Sequence, residues 1–278
     1  MNEFTTLELT VAHRVAVLWL SRPTVRNAFN ETMIAELTAA FDSLGRDDNV
    51  AAVVLAAQGP AFCAGADLDW MRRMSGYTHD ENLADARKLA AMLQAIDTCS
   101  KPVIARVHGD AYAGGMGLVA ACDVAVAAQP ATFCLSEVKL GLIPATIAPY
   151  VIRAIGERAA RRYFITAEKF DASEAYRIGL VHELVTADGL DARINELLGA
   201  LLQASGTAVR AAKQLVRDVA GRPLDAALRE DTARRIADAR TSDDGREGVA
   251  AFLNKSKPRW VREYEAMMAA AQGEDEST

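Results

Sequence analysis

The chain has 278 residues, 51% hydrophobic, 24% charged and 6% aromatic, with 31 Lys and Arg against 37 Asp and Glu for a net charge of -6. That length and apolar content allow one large domain, or a core with a smaller satellite, and exclude bulk disorder or a fibrous repeat. The acidic balance supplies no general attraction to phosphate backbones, which argues against a nucleic-acid partner. No apolar run reaches the roughly 18 residues of a membrane-spanning helix. Met1–Thr10 is polar and mixed, without the basic start and apolar middle of a secretion signal. Cys63, Cys99, Cys122 and Cys134 form no CxxC pair and accompany only four His. A disulfide framework or a metal site is therefore not expected, and the cytoplasm is the expected compartment.

Taken in chain order, Leu7, Leu9 and Val11 alternate with polar residues and Val15–Leu20 follows as a second apolar run, which predicts a hairpin turning at His13-Arg14. Asn30 reads as a helix N-cap. Met33, Ile34, Leu37, Phe41 and Leu44 follow at helical spacing, and Gly45 ends the run. Ala51–Ala57 is a buried strand stopped by Gly59-Pro60. Residues 82–98 read as a helix with Leu83, Ala86, Leu89, Ala90, Leu93 and Ile96 on one face. Pro102–His108 is a strand, Gly109–Gly117 a Gly-rich turn, and Leu118–Ala121 an apolar helical piece; Val124–Ala127 and Thr132–Leu135 are strand-like. Past residue 142 the strand signals fade. Helical patterns follow at 157–166, 172–178, 187–203, 207–219, 222–238, 244–253 and 257–270, with Pro223 at a helix start. This order predicts an α/β core over residues 1–200 and a helical region over 201–278, ending in a frayed tail from Gly273 to Thr278.

Three stretches have the residue types for chemistry. Ala61-Phe62-Cys63-Ala64-Gly65-Ala66-Asp67-Leu68 follows a buried strand with side chains small enough for a ligand to approach the backbone N–H groups; a plain tight turn needs the same residues. The strand from Lys101 runs into Gly109–Gly117, where a helix N-terminus directs uncapped N–H groups at whatever binds there. The glycines match neither G-x-G-x-x-G nor G-K-[ST], so a nucleotide phosphate site is unsupported, and close helix packing is the alternative. In Leu135-Ser136-Glu137-Val138-Lys139, Glu137 lies among apolar residues, where burial would raise its pKa and suit it to proton transfer. Alternatively Ser136 caps a short helix and Glu137 sits in its first turn. Asp123 reads as structural, Arg72 and Arg73 as solvated surface, and no G-x-S-x-G elbow supports a serine hydrolase.

In order along the chain, Ala64-Gly65-Ala66-Asp67-Leu68, Lys101-Pro102-Val103-Ile104-Ala105 running to Gly114-Gly115, Ala121-Cys122-Asp123, Phe133, Glu137, Leu140-Gly141-Leu142-Ile143-Pro144 and Ala175-x-x-x-Gly179-Leu180-Val181 resemble the crotonase, or enoyl-CoA hydratase/isomerase, superfamily. The resemblance covers about Arg22 to Lys257 and is most like the bacterial methylglutaconyl-CoA and carboxygeranoyl-CoA hydratases. It implies an α/β spiral of β-β-α units with a helical C-terminal region through which members assemble as trimers or dimers of trimers. It also implies an acyl-CoA substrate, whose coenzyme A is part of the substrate, and no separate cofactor. The N–H groups of Ala66 and Gly114 would form an oxyanion hole for the thioester oxygen, and Glu137 would move the proton. Ala64, Gly65, Ala66, Asp67, Leu68 and Gly114, with Arg26 and Lys257 near the phosphates, would bind the substrate.

The sequence departs from the family at one catalytic position. Typical family hydratases carry two glutamates facing one water, and the first of these is Gly117 here. The expected reaction is reversible hydration of a 2-enoyl-CoA, branched or carboxylated. The alternatives are a 3,2-enoyl-CoA isomerase that needs only Glu137, and a non-catalytic acyl-CoA-binding or RNA-binding scaffold. Asp69, Asp110 and Tyr112 are candidates to replace the missing carboxylate, and Arg72, Arg73, Arg106 and Lys139 to meet a substrate carboxylate.

Overall fold

A computed structural model describes residues 4–275; residues 1–3 and 276–278, the ends of the two termini read above, lie outside it. Strands β1 (Leu7–Ala12) and β2 (Val15–Leu20) pair antiparallel about His13 and Arg14. Both turn residues have positive φ, 49° and 64°, matching the twist of a two-residue hairpin. Helix α1 (Glu31–Arg46) starts where Asn30 accepts a hydrogen bond from Met33 N at 3.0 Å. Gly45 keeps helical backbone, so α1 ends one residue past it, at Arg46. Strands β3 (Ala52–Ala57) and β4 (Ala61–Cys63) follow, then α2 (Leu68–Met74), which the periodicity does not announce. Helix α3 (His79–Thr98) begins three residues earlier than expected, because Thr78 and Glu81 form a reciprocal capping box.

Next come β5 (Val103–Val107), β6 (Asp110–Tyr112), α4 (Gly114–Ala121), β7 (Val124–Ala128) and β8 (Thr132–Cys134). Helix α4 starts at Gly114 rather than at Leu118, so the glycines are its first turn and not a loop before it. A short 3-10 helix at Glu137–Leu140 leads to α5 (Ala148–Thr166), β9 (Phe170–Asp171), α6 (Ala172–Arg177) and β10 (Glu183–Val185). Helix α5 starts nine residues before the expected position, with Pro149 in its first turn and a break at Gly156, φ 73°. Strands β9 and β10 correct the all-helical reading past residue 142; at two and three residues they are too short to show periodicity.

Among the described residues the strands make two sheets. The larger has the order β1-β2-β3-β5-β7-β10 and is parallel apart from the β1–β2 hairpin. β3 (Ala-Val-Val-Leu-Ala-Ala) is buried at every residue, as a strand inside a parallel sheet must be. Leu37 and Phe41 of α1 and Met92, Leu93 and Ile96 of α3 are buried in the same core. The smaller sheet has the order β4-β6-β8-β9, with β4, β6 and β8 parallel.

The chain forms two compact units, Met1–Asn195 and Glu196–Thr278. Helix α7 (Leu190–Leu202) carries the boundary, and α8 (Gly206–Val219), α9 (Ala226–Thr241), α10 (Asp243–Leu253) and α11 (Arg259–Asp275) make up the second unit. Asp225 caps α9 at Leu228 N, 2.8 Å, so Pro223 precedes the helix instead of starting it. The tail expected to fray from Gly273 is helical through Asp275. Among the described residues no helix is long and apolar enough to cross a membrane.

Candidate active site

Strands β4, β6 and β8 run side by side in one direction, pairing Cys63 with Ala111 and Tyr112 with Cys134. Three segments therefore leave from the same edge of the small sheet: Ala64–Asp67, Ala113–Gly117 and Leu135–Leu140. The carboxyl ends of parallel strands are where open α/β sheets bind ligands.

The first segment is clamped to residues 26–29. Ala64 N donates to Arg26 O at 3.0 Å, Phe29 N to Gly65 O at 2.8 Å, and Asp67 N to Phe29 O at 3.0 Å. Phe29 and Ala66 thus form a parallel bridge. Such a bridge uses the polar groups of residues 65 and 67, so the Ala66 N–H points away from it. Gly65 has φ 93°, and a Cβ there would lie 3.1 Å from Ala113 Cβ and 3.2 Å from Tyr112 O. The first two turns therefore touch at Gly65 and Ala113, the residues whose peptide bonds carry the Ala66 and Gly114 N–H groups.

Ala113 is held at φ 47° and ψ -121°, a conformation costly for any residue with a side chain. Its N–H donates to Cys134 O at 2.7 Å, which ties the second turn to the end of β8. Gly115 is seated where a Cβ would lie 2.5 Å from Cys63 O, so the first turn of α4 rests on the end of β4. Among the described residues neither the Ala66 nor the Gly114 N–H has a hydrogen-bond acceptor. The Gly114 N–H is one of the orphan donors of a helix N-terminus.

Glu137 opens the 3-10 helix three residues beyond Cys134. Ser136 makes no side-chain cap there, so its hydroxyl does not explain the segment. The Glu137 side chain is partly buried, and its Oε2 is fully buried with no hydrogen-bond partner. Burial pushes its pKa above the ordinary carboxylate value, partly offset by a backbone hydrogen bond. At Gly117, on α4, a Cβ would lie 2.2 Å from Ile147 Cγ2, 2.9 Å from Ile147 Cβ and 3.5 Å from Leu93 Cδ2. The volume into which a side chain at 117 would project is filled by packed hydrocarbon.

A model of the enoyl-CoA hydratase/isomerase family matches residues 10–263. The chain belongs to that family. It superposes on the solved structure of an enoyl-CoA hydratase from Shewanella pealeana with TM-score 0.90 and 41% identity, over 93% of this chain and 97% of that one. It superposes on AtuE from Pseudomonas aeruginosa with TM-score 0.88 and 37% identity, over 92% and 99%. It is also 31% identical over 250 residues to a crotonyl-CoA hydratase from Syntrophomonas wolfei, spanning 89% of this chain and 95% of that relative. The chain is an enzyme of the crotonase superfamily with the superfamily's α/β fold.

In this crotonase the remaining candidate residues are placed as follows. The Asp67 carboxylate caps α2 through the Asp69 and Trp70 N–H groups and pairs with Arg22 at 2.9 Å. Burial alone would raise its pKa, but Arg22 and the two amides outweigh that and hold it below the usual range. Leu68 is exposed at the start of α2. Arg26 is exposed, with its carbonyl committed to Ala64. Lys257 lies in the second unit and pairs with Glu265 at 2.6 Å.

Arg72 pairs with Asp69, Arg73 with Glu31 and Arg106 with Asp191, while Lys139 is exposed. Asp110, Thr132 and Tyr112 form a hydroxyl chain with two 2.7 Å links. Asp123 accepts from Val103 N at 2.7 Å, a structural role as expected. Sequence reasoning missed Phe29 and Ile147. Phe29 had one available signal, an apolar residue directly before the Asn30 cap; Ile147 had none, since its contact crosses thirty positions of chain.

Proposed function

We propose that the enzyme catalyses reversible addition of water across the 2,3 double bond of an enoyl-CoA thioester, with a branched or carboxylated acyl group of the methylglutaconyl type. Ala66 and Gly114 N–H hold the thioester oxygen, and Glu137 moves the proton. The observation that carries this reading is the grouping at one sheet edge of two acceptor-free amides in touching turns and a buried, unpartnered carboxylate oxygen.

Attack at C3 pushes electrons through C2 toward the carbonyl, so negative charge grows on the thioester oxygen. Fixed amide donors stabilise that charge more than the ground state. Glu137 accepts a proton from water as the hydroxide bonds to C3, and the same carboxyl returns a proton to C2. One group serves as base and then acid, so the sum is one water added. The step is redox-neutral and asks for no metal or separate cofactor. Ala64–Leu68, with Arg26, would meet the coenzyme A portion. Exposed Leu224, Phe252 and Leu253 in the second unit favour self-association, as a trimer or a dimer of trimers.

Ile147 over Gly117 favours a second reading, 3,2-enoyl-CoA isomerisation, because one base suffices to remove a proton from C2 and return it to C4. Separate supply of methylglutaconyl-CoA, crotonyl-CoA and a 3-enoyl-CoA distinguishes the two: a hydratase removes the conjugated enoyl absorbance of the first two, and an isomerase creates it from the third. Glu137→Gln is expected to lower kcat by about 10²–10⁴-fold; full retention of activity rejects the assignment of Glu137.

A further inference from the structure

The two amides come from turns 48 positions apart, and one residue outside both turns contacts each of them. Phe29 sits in a stiff strap. The buried Asn27 side chain donates to Gln58 O at 2.7 Å and Ala61 O at 2.9 Å and accepts from Arg22 N at 2.8 Å. Asn30 anchors the other end as the cap of α1. Between them, the Phe29 N–H and C=O grip the residues on either side of Ala66 and so set the direction of its N–H.

The Phe29 ring reaches the other turn. A Cβ at Gly114 would lie 2.1 Å from Phe29 Cζ, 3.0 Å from Cε1 and 3.1 Å from Cε2, so the tip of the ring rests directly on the Gly114 backbone. Behind it stands buried Trp70, ring centroids 6.2 Å apart and tilted by 58°. Trp70 is on α2, whose cap is Asp67, so the ring is braced by the helix that the first turn starts.

We infer that Phe29 is the positioning residue of the oxyanion site: its backbone orients the Ala66 donor while its ring fixes the height of Gly114, keeping both N–H groups aimed at one point. It touches no reacting atom. The inference rests on the functional reading given above. Its energetic basis is that fixed donors work only at correct distance, and displacement by about 1 Å costs on the order of 10²-fold in rate.

The test compares Phe29→Leu with Phe41→Leu. Phe41 is a buried phenyl on α1, about 15 Å along the helix axis from its first residue, Glu31, at 1.5 Å per residue. Melting temperature, kcat, KM and the infrared thioester C=O stretch of bound crotonyl-CoA are read for each. Both variants lose stability. Phe29→Leu alone is expected to lower kcat by about 10–100-fold with KM nearly unchanged, and its bound C=O stretch moves back toward the frequency in free solution. Phe29→Met, close in volume, recovers part of both and serves in its place if the leucine variant does not fold. Equal kcat and equal C=O frequency in the Phe29 and Phe41 variants overturn the inference. A wild-type enzyme that binds crotonyl-CoA with no carbonyl shift removes the functional reading itself, and the inference with it.

Discussion

In an unconstrained helix, replacing a glycine by alanine stabilises the fold by roughly 0.5–1 kcal/mol, since the unfolded chain has less freedom to lose. Gly117 should do the opposite. The added Cβ would lie 2.2 Å from Ile147 Cγ2 and 2.9 Å from Ile147 Cβ, against normal carbon contacts of about 3.5–4.0 Å. Ile147 is 2% exposed and Leu93 0%, and a close-packed interior leaves neither of them room to retreat. Overpacking of this kind costs about 1–3 kcal/mol, which outweighs the helix-propensity gain. Gly117→Ala is therefore expected to lose about 1–2 kcal/mol in urea unfolding, at unchanged m-value. Ile147→Ala removes the clashing methyl and by itself costs about 2–5 kcal/mol. The double variant should be more stable than the sum of the singles by about 0.5–3 kcal/mol, because the new methyl fills part of the hole. A neutral or stabilised Gly117→Ala, or strict additivity, would refute the idea that Ile147 occupies the volume beside residue 117.

Burial raises the Glu137 pKa, so folding disfavours its charged form. Below the unfolded value of about 4.3 both states are protonated and nothing is lost, whereas the penalty grows as pH rises through the folded pKa. Glu137→Gln should accordingly be more stable than wild type at pH 8, with the gap closing at about pH 4 in thermal melts. Asp67 has the opposite sign: despite the opposing effect of burial, Arg22 and the α2 amides hold its pKa down. Its contribution is present above the unfolded value of about 3.9 and lost as pH falls through the folded pKa. Asp67→Asn should cost about 1–3 kcal/mol at pH 7 and progressively less in acid. Gly65→Ala, at φ 93° with a Cβ 3.1 Å from Ala113, should lose about 1–3 kcal/mol and lower kcat, checked by denaturant titration beside steady-state kinetics.

The elements legible from sequence were those whose signal is local. α1 announces itself through Asn30 and its apolar spacing, β3 through an unbroken apolar run, and the first hairpin through alternation. Of the small sheet only β8 was legible, within Thr132–Leu135; β4, β6 and β9 were not, because they are two or three residues long and their partners lie tens of positions away. The start of α4 was missed because glycine is a poor helix former; Phe29 beside Gly114 and Cys63 O beside Gly115 leave room there for nothing larger. Glu137 was legible as a partly buried acid, and its role came from resemblance. The glycine at 117 was visible in the sequence, whereas the isoleucine that fills its neighbourhood needed coordinates.

The two donors proposed for the thioester oxygen, the Ala66 and Gly114 N–H groups, belong to the main chain. A peptide N–H does not titrate in the physiological range, carries no net charge and cannot be deleted by swapping a side chain. In the proposed mechanism electrophile activation is thus constant across pH, and proton transfer is left to a single carboxyl group. In that mechanism a substitution in the segment after β8 alters the proton chemistry and leaves the two amide donors in place.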